Sequence, residues 1–330
     1  MNGTLSDVLL SLKIDANSIG IGHFSEPWGF HMPRTRPTSA FAHSVVDAPC
    51  WLLRHAREPV ELFPGDSFLV LKGAAYSLAS AANARLLSFP EYWKKLKLAP
   101  MGPTVRRDAP IRFEMGGGGR LSRMVSIALE LRNPALNPLI LSLPAVIVIR
   151  AANRELFPWI SAALSFLAAE TSAARPGYCA MATHLAEVIF TGLLRAHALS
   201  DQNKSANWLR GISDERIGRA LSAMHEQPGF PWKLASLAAQ AGVSRATFAR
   251  RFDQMTGLSP IEYLTAWRMQ IAAEMLLDGR DSIARIAEHV GYGSERAFRA
   301  AFKQKTGLSP TGYCKLHGKG KAIRSVTSKS

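Results

Sequence analysis

Cysteine is scarce in this chain, with three residues, Cys50, Cys179 and Cys314. Because their number is odd and they lie far apart, we expect reduced thiols and exclude a small fold held together by disulfide bonds. Long apolar runs are also lacking: residues 138–149 are interrupted by Pro144 and are too few to cross a bilayer. Polar and acidic residues interrupt the first apolar residues, unlike a secretory signal peptide. These absences predict a cytoplasmic protein with no membrane partner.

Acidic residues are too few to balance the basic ones, at 25 Asp and Glu against 40 Lys and Arg. Residues 204–330 hold 20 basic and 10 acidic residues, which is +10 of the total net charge of +15. Such a region favours nucleic acid as a partner, since phosphates attract Lys and Arg. The length of 330 residues exceeds one typical domain, and the polar stretch 200–208 predicts a linker between two domains.

The basic region contains an internal repeat. A pair of phenylalanines followed by Thr-Gly-Leu-Ser-Pro occurs twice at a separation of 50 positions, as Phe248, Phe252 and 256–260 and then as Phe298, Phe302 and 306–310. Each copy follows a short apolar helix, a glycine-containing turn and a serine that can cap the next helix. This order is the helix-turn-helix pattern, predicted here over 234–256 and 283–306.

One uninterrupted helix is predicted between the repeats, over 261–277, because apolar residues recur every three to four positions without an internal Gly or Pro. Such a helix is about 25 Å long. Each unit also packs to one side of this helix, which increases the distance between the two second helices. That distance is then near the ~34 Å that separates successive major grooves on one face of a duplex. The repeat therefore predicts a chain that can contact two adjacent grooves.

The second helix of each unit should present a few side chains to DNA. If the phenylalanines turn inward, helical periodicity directs Ala246 and Arg250 outward in the first unit and Arg296 and Ala300 outward in the second. Arginine can donate two hydrogen bonds to guanine, so Arg250 and Arg296 are the main candidates for base recognition. An exposed arginine can equally belong to an ordinary solvated face. The occurrence of two units at matching spacing favours DNA.

Residues 1–135 predict a small β-barrel or sandwich, because short β-branched or alternating runs are separated by Pro, Gly and Asp. The runs are 20–24, 41–46, 50–54, 61–62, 68–72, 112–113 and 124–131. The glycines of 116–119 predict a flexible hairpin turn, since a phosphate-binding loop would continue with Lys and Ser or Thr.

Residues 136–199 are predicted to form a helical segment, with two helices separated near 174–177. One side of the second helix is apolar, at Met181, Leu185, Val188, Ile189, Leu193 and Leu194. Two interpretations stay open for this stripe. It either covers the barrel or forms a helix-to-helix contact in a dimer.

A family resemblance covers residues 209–316. The residues that carry it include Asp214, Trp232, Leu237, Ala238, Gly242, Ser244, Phe248, Phe252, Ser259, Pro260, Trp267, Arg268, Ile286, Ala287, Gly291, Tyr292, Phe298, Phe302, Ser309 and Pro310. This region resembles the DNA-binding domain of the AraC/XylS family of transcriptional regulators, which implies two helix-turn-helix modules on consecutive major grooves. Lys315 and the basic tail 317–330 would add phosphate attraction.

The resemblance and the periodicity together give two sets of candidate site residues. Base contacts are expected from Arg245, Ala246, Ala249, Arg250, Arg296, Ala297, Arg299 and Ala300. Phosphate contacts are expected from Ser244, Thr247, Ser294, Lys303 and Lys305.

A second resemblance covers much of residues 5–200. The segments 26–30, 50–52, 64–66, 116–119, 143–144 and 175–177, with His43, resemble the cupin-like effector domain of one branch of the same family. The implied fold class is α+β, a cupin-like β-barrel with a helical dimerisation segment followed by an all-α double helix-turn-helix domain. The implied protein is a homodimer that binds operator or promoter DNA beside RNA polymerase. Its effector and its action as activator or repressor are left open.

The cupin likeness raises the question of a metal. His23, His31, His43 and His55 lack the spacing of metal-binding cupins, in which two histidines one residue apart precede a glutamate. We therefore expect no metal, no other cofactor and no enzymatic activity. The rival interpretations are a metal-dependent cupin enzyme fused to a DNA-binding module, and a constitutive DNA-binding protein without a ligand.

Overall fold

The computed structural model describes residues 8–96, 111–151, 158–173, 175–199 and 214–317. The chain divides into two compact units. One takes its described residues from 12–134 and 143–204 and is rich in strands, whereas the other takes them from 1–11, 135–142 and 205–330 and is helical. The predicted linker 200–208 and the tail from Gly318 lie outside the described residues.

The described residues of the strand-rich unit form 11 strands. They are β1 (Ile14–Ser25), β2 (Gly29–Met32), β3 (Ser39–Val45), β4 (Cys50–Leu53), β5 (Val60–Leu62), β6 (Ser67–Val70), β7 (Tyr76–Ala79), β8 (Leu87–Ser88), β9 (Ile111–Gly116), β10 (Leu121–Leu131) and β11 (Val146–Ile149). A six-stranded sheet has the order β11-β6-β3-β10-β1-β9, and a five-stranded sheet has the order β5-β4-β7-β2-β8. Each of the predicted runs overlaps one of these strands.

Aromatic residues from both sheets form the core of this unit. Phe24 on β1 stacks on Trp28 with ring centroids 4.4 Å apart. The rings of Phe24 and Phe113 pack edge to face, with centroids 5.6 Å apart. Burial alternates residue by residue along β9, so one face of that strand lies in the core. Strand β9 forms because this alternation matches the two-residue period of a pleated strand.

The glycines of 116–119 do not form the predicted hairpin turn. Strand β1 lies between β9 and β10 in the sheet, so the loop crosses the end of β1. A Cβ atom on Gly116 would lie 1.7 Å from the carbonyl oxygen of Ser25, and the φ of Gly116 is 136°. Glycine is required here because the loop passes directly over another segment of backbone.

Two helices follow the barrel strands in the chain, and the predicted apolar stripe lies on the second of them. They are α3 (Pro158–Ala173) and α4 (Tyr178–Leu199), which follow α1 (Phe89–Lys95) and α2 (Pro138–Ser142) in the chain. Ile189, Leu193 and Leu194 of α4 are buried, and α4 packs against β1. Met181 and Val188 are 56% and 52% exposed. The stripe therefore covers the barrel with one part and presents the other part to solvent.

The helical unit contains α5 (Glu215–Glu226), α6 (Leu234–Ala241), α7 (Arg245–Thr256), α8 (Pro260–Asp278), α9 (Ile283–His289), α10 (Glu295–Thr306) and α11 (Pro310–His317). The spacer helix predicted over 261–277 is present as α8. Ser259 and Glu262 cap its start reciprocally, and Gly279 ends it in the left-handed conformation.

Two predicted boundaries differ from the structure. Residues 146–149, expected to be helical, form β11 and pair with β6, because the run Val-Ile-Val-Ile follows Pro144 and favours a strand. Residues 135–142 belong to the helical unit instead of the barrel side, since Leu136 packs in one core cluster with Met269 and Phe298. Gln270 of α8 also donates a hydrogen bond to the carbonyl oxygen of Ser11 at 2.9 Å.

Candidate nucleic-acid interface

Helices α6 and α7 form the first helix-turn-helix module. Helix α6 ends at Gly242, whose φ of 65° is the left-handed conformation that glycine favours. Ser244 then caps α7, because its Oγ accepts a hydrogen bond from the Thr247 amide at 3.3 Å. Phe248 and Phe252 are fully buried, so the opposite face of α7 is turned outward.

Helices α9 and α10 form the second module, with a longer turn between them than in the first. The turn between them contains Gly291 at φ 78°, and the Oγ of Ser294 accepts a hydrogen bond from the Ala297 amide at 3.2 Å. Phe298 and Phe302 are fully buried.

The same pattern of hydrogen bonds occurs at the end of each module. The hydroxyl of Thr256 lies 2.9 Å from the carbonyl oxygen of Phe252, and that of Thr306 lies 2.8 Å from the carbonyl oxygen of Phe302. Both hydroxyls also accept a hydrogen bond from the amide two residues later, at 3.2 Å. These repeated bonds explain why Thr-Gly-Leu-Ser-Pro occurs twice.

The main candidate base-reading residues lie on the outward faces. Arg245, Ala246 and Arg250 are exposed on α7, as are Arg296 and Ala300 on α10. None of the three arginines forms an ion pair with a described residue. Their guanidinium groups therefore keep their donors for another partner.

Other candidates are engaged within the protein. Arg299 donates from Nε to Glu295 Oε1 at 2.6 Å, so a base contact by Arg299 requires this pair to open. Thr247 and Ala249 are half-buried, and the Thr247 hydroxyl accepts a hydrogen bond from Ser244 Oγ at 3.0 Å. The remaining phosphate candidates, Lys303 and Lys305, are exposed.

Sequence reasoning missed the role of Arg268, which lies in the middle of α8. Its guanidinium donates to the carbonyl oxygens of Pro228 and Phe230, both at 2.7 Å. A Cβ on Gly291 would lie 2.6 Å from the oxygen of Gly229 and 2.7 Å from Arg268. The loop between α5 and α6 thus lies directly against the turn of the second module, and Arg268 holds that loop. The signal in the sequence is that Arg268 is the one basic residue of this helix.

A half-buried histidine joins α5 to the spacer helix. The Nε2 atom of His225 lies 2.8 Å from the Tyr263 hydroxyl, and its ring stacks on Trp267 with centroids 4.1 Å apart. Burial lowers the pKa of His225 to about 3, so the ring is neutral at physiological pH.

The barrel histidines do not fit a cupin metal centre. His43 faces the interior, where its ring nitrogens contact the hydroxyls of Ser126 and Tyr76. His31 is bound to Ser77. The described residues contain no group of three or more His, Cys, Asp or Glu side chains arranged to hold a metal ion. Nor does any helix in the described ranges have the length and apolar character needed to span a membrane.

Comparisons with known proteins match both units. A cupin family model matches residues 4–198, and a helix-turn-helix domain model matches residues 237–315. A putative AraC-like transcription regulator of Streptomyces antibioticus is 32% identical over 78% of this chain and 80% of its own length. The transcriptional regulator AlkR of Acinetobacter baylyi is 29% identical over 87% of this chain and 90% of its own length.

A solved structure also matches the helical region. The C-terminal domain of AraT, a response regulator from Geobacillus stearothermophilus, is 32% identical, with 34% of this chain and 93% of that one covered and a TM-score of 0.32. The cupin match spans more than half of the chain, and the Streptomyces relative covers more than two thirds of it. The chain therefore belongs to the AraC family of transcriptional regulators, with a cupin-like N-terminal domain and a helix-turn-helix DNA-binding domain.

Proposed function

We propose that the helical unit binds double-stranded operator or promoter DNA in two successive major grooves, with α7 in one groove and α10 in the next. The observation that carries this proposal is the pair of outward helix faces. Each has an arginine with no described ion-pair partner, Arg250 or Arg296, beside small alanines that allow close approach to the bases. Lys303 and Lys305 are exposed at the end of α10, where they suit phosphate contacts.

The test is selection of binding sites from random duplexes by the full chain, followed by anisotropy measurements on the selected site and on random DNA. We expect Arg250→Ala and Arg296→Ala each to relax base preference at one position and to weaken specific binding by about 1–3 kcal/mol. Lys305→Ala should weaken binding to all sequences alike and lower the salt slope by about 1.

The matched control is Arg285→Ala, which removes an equal charge from α9, where Arg285 is 78% exposed and pairs with Asp281. It should leave base preference unchanged. Equal loss on specific and random DNA for Arg250→Ala would exclude that residue as a base reader.

A homodimer is the assembly we propose. Trp159 and Phe166 on α3, and Met181 and Val188 on α4, are 40–56% exposed. The two residues on each helix are seven positions apart, so each helix bears an exposed apolar stripe along one face. Large exposed apolar side chains in such an array favour a protein contact, and a second copy of the chain can match them by symmetry.

Light scattering of the full chain tests this assembly. Val188→Glu and Phe166→Glu should lower the molar mass toward that of a monomer, because each would bury a charge in the contact. Leu121→Glu, which alters a 65% exposed residue on β10, should leave the mass unchanged. A wild-type chain that is monomeric at micromolar concentration with and without operator DNA would contradict the proposal.

We further propose that the protein acts in the cytoplasm, that its barrel senses a small molecule, and that RNA polymerase at the same promoter is the partner on which it acts. A ligand changes DNA binding only if its affinities for the two states of the protein differ. The protein would act by binding, without catalysis. Metal analysis of the purified chain tests the absence of catalysis. Stoichiometric iron, zinc or manganese would favour a metal-dependent cupin enzyme instead.

A further inference from the structure

We propose that the barrel interior binds an uncharged, mainly apolar molecule of about one ring in size that carries a single hydroxyl or carbonyl group. This inference rests on the sensing role proposed above and specifies the chemistry of the ligand.

The barrel contains a cavity walled by aromatic rings. Its interior volume is about 40 Å³, within about 440 Å³ of empty space that extends through the mouth into open solvent. The aromatic residues that line it are Phe30, Phe41, Tyr76, Phe89, Trp93 and Phe113. This interior is much smaller than most small-molecule sites, which span about 300–1,000 Å³, and it therefore limits the ligand to about one ring.

One corner of this cavity is polar. The Nε2 atom of His43 lies 2.8 Å from the Tyr76 hydroxyl, and its Nδ1 atom lies 2.8 Å from the Ser126 hydroxyl. All three residues line the cavity. Burial lowers the pKa of His43 to about 3 and raises the pKa of Tyr76, so both groups are neutral at physiological pH.

These three hydrogen-bonded groups can bind a ligand that donates a hydrogen bond or one that accepts it. If Tyr76 donates to His43, the imidazole N–H donates to Ser126, and the serine hydrogen is left to donate to a ligand. In the other tautomer Ser126 donates to His43, the imidazole donates to Tyr76, and the tyrosine hydrogen is left. In each case one end of the chain offers a donor and the other end offers an acceptor. A ligand hydroxyl or carbonyl can therefore be satisfied.

The cavity disfavours a charged ligand. No Asp, Glu, Lys or Arg lies among the described residues that line it. A carboxylate or ammonium group placed there would lose its hydration without gaining a counter-charge, which is costly in an apolar site. The same lining favours a ring or a short hydrocarbon, because such a ligand displaces water from the apolar walls and buries apolar surface.

Calorimetric titration of the full chain with three probes of matched size tests the ligand class. The probes are 4-methylphenol, 1,4-dimethylbenzene and 4-methylbenzoate. We expect 4-methylphenol to bind about three- to tenfold more tightly than 1,4-dimethylbenzene, from one net hydrogen bond. It should bind at least about tenfold more tightly than 4-methylbenzoate, which would bury its charge.

Three variants locate the site. Ser126→Ala should reduce the preference for 4-methylphenol over 1,4-dimethylbenzene while leaving the hydrocarbon bound. Ala128→Leu should fill the cavity and abolish binding of all three probes. Ser77→Ala removes a hydroxyl that contacts His31 instead of the cavity, and it should leave all three affinities unchanged. Thermal unfolding of each variant verifies that the barrel is folded.

Two results would overturn the inference. One is equal or tighter binding of 4-methylbenzoate, and the other is no binding of any probe by the folded wild-type chain. The site-selection experiment separates this failure from that of the DNA-binding proposal. A chain that selects a specific duplex but binds none of the probes would retain the proposed function and lose only the proposed ligand class.

Discussion

At the scale of single residues, Asp214 has two partners whose contributions can be separated. One carboxylate oxygen caps α5 by accepting from the amides of Arg216 and Ile217, and the other lies 3.2 Å from Nη2 of Arg251 on α7. Asp214→Ala should lower the free energy of unfolding by about 1–2 kcal/mol through loss of the cap. Asp214→Asn keeps the cap and should cost under about 1 kcal/mol, since the ion pair is partly exposed.

Urea unfolding followed by circular dichroism measures both variants of Asp214. Equal losses of stability in the two would show that the ion pair with Arg251 dominates, contrary to this expectation.

One buried and two half-buried histidines predict that acid destabilises the fold. Burial lowers the pKa of His43 and His225 to about 3 and that of His197 to about 4. Unfolded histidine takes up a proton near pH 6.5, so between that value and the folded pKa the unfolded state binds more protons. The stabilisation is therefore complete above about pH 6.5 and is lost as the pH falls toward 3–4.

Thermal unfolding between pH 7.5 and 5 checks this dependence. In the helical unit, His225→Phe should flatten the pH slope, because phenylalanine retains the stacking on Trp267 without a titrating group. An unchanged slope in that variant would assign the acid sensitivity to other groups.

The candidate site was predictable from sequence where local periodicity determines it. Burial of Phe248 and Phe298 directs Arg250 and Arg296 outward, as helical spacing requires. The pairing of Arg299 with Glu295 is also predictable from the sequence, since the two residues are four positions apart on one helix. The partners of Arg268 were not predictable, because they lie about 40 residues away in the chain.

At the scale of elements, we predict that close contact between the α5–α6 loop and the turn of the second module fixes the spacing of the two modules. Gly291→Ala should disrupt it, because its Cβ would lie 2.6 Å from the oxygen of Gly229 and its φ is 78°. Gly279→Ala is the matched control, since its φ of 70° imposes similar backbone strain but a Cβ there meets no atom within 4 Å. Gly291→Ala should cost at least about 1 kcal/mol more stability than the control.

The same pair of variants should differ on DNA. Gly291→Ala should lose its preference for a site with two half-sites at fixed spacing, measured by anisotropy on duplexes of varied spacing. Gly279→Ala should retain that preference. If the two variants show the same spacing preference, the contact between the α5–α6 loop and the turn of the second module does not set the distance between the recognition helices.

The helices were more predictable than the sheets for a physical reason. The start of α8 is determined by adjacent residues. Ser259 caps the helix, Pro260 is its first residue, and Glu262 completes the capping box. The order of the strands depends on pairings between distant residues, such as Gly20 with Ile111 in the parallel pair of β1 and β9. Strand β7, which pairs with β2 and β4, also went unpredicted, since its four residues are all buried and show no alternation.

At the scale of the whole molecule, the uneven distribution of charge predicts which unit governs binding to DNA. Residues 204–330 carry +10 of the net charge of +15. Each cation that replaces a counterion on duplex DNA contributes about 0.9 to the slope of log affinity against log salt concentration. Replacing both Lys303 and Lys305 with alanine should therefore lower the magnitude of that slope by about 2.

The barrel supplies the matched comparison for that measurement. Arg34 and Arg57 are also exposed, and replacing both with serine removes the same charge from the other unit. Because screening over about 8–10 Å suppresses distant surface charges at physiological salt, the barrel double variant should keep the wild-type slope. Titrations of random duplex DNA between 50 and 200 mM salt, roughly the range over which counterion release is resolved, compare the two. An equal change in both slopes would mean that affinity follows net charge alone, and the assignment of the two lysines of α10 as phosphate contacts would be wrong.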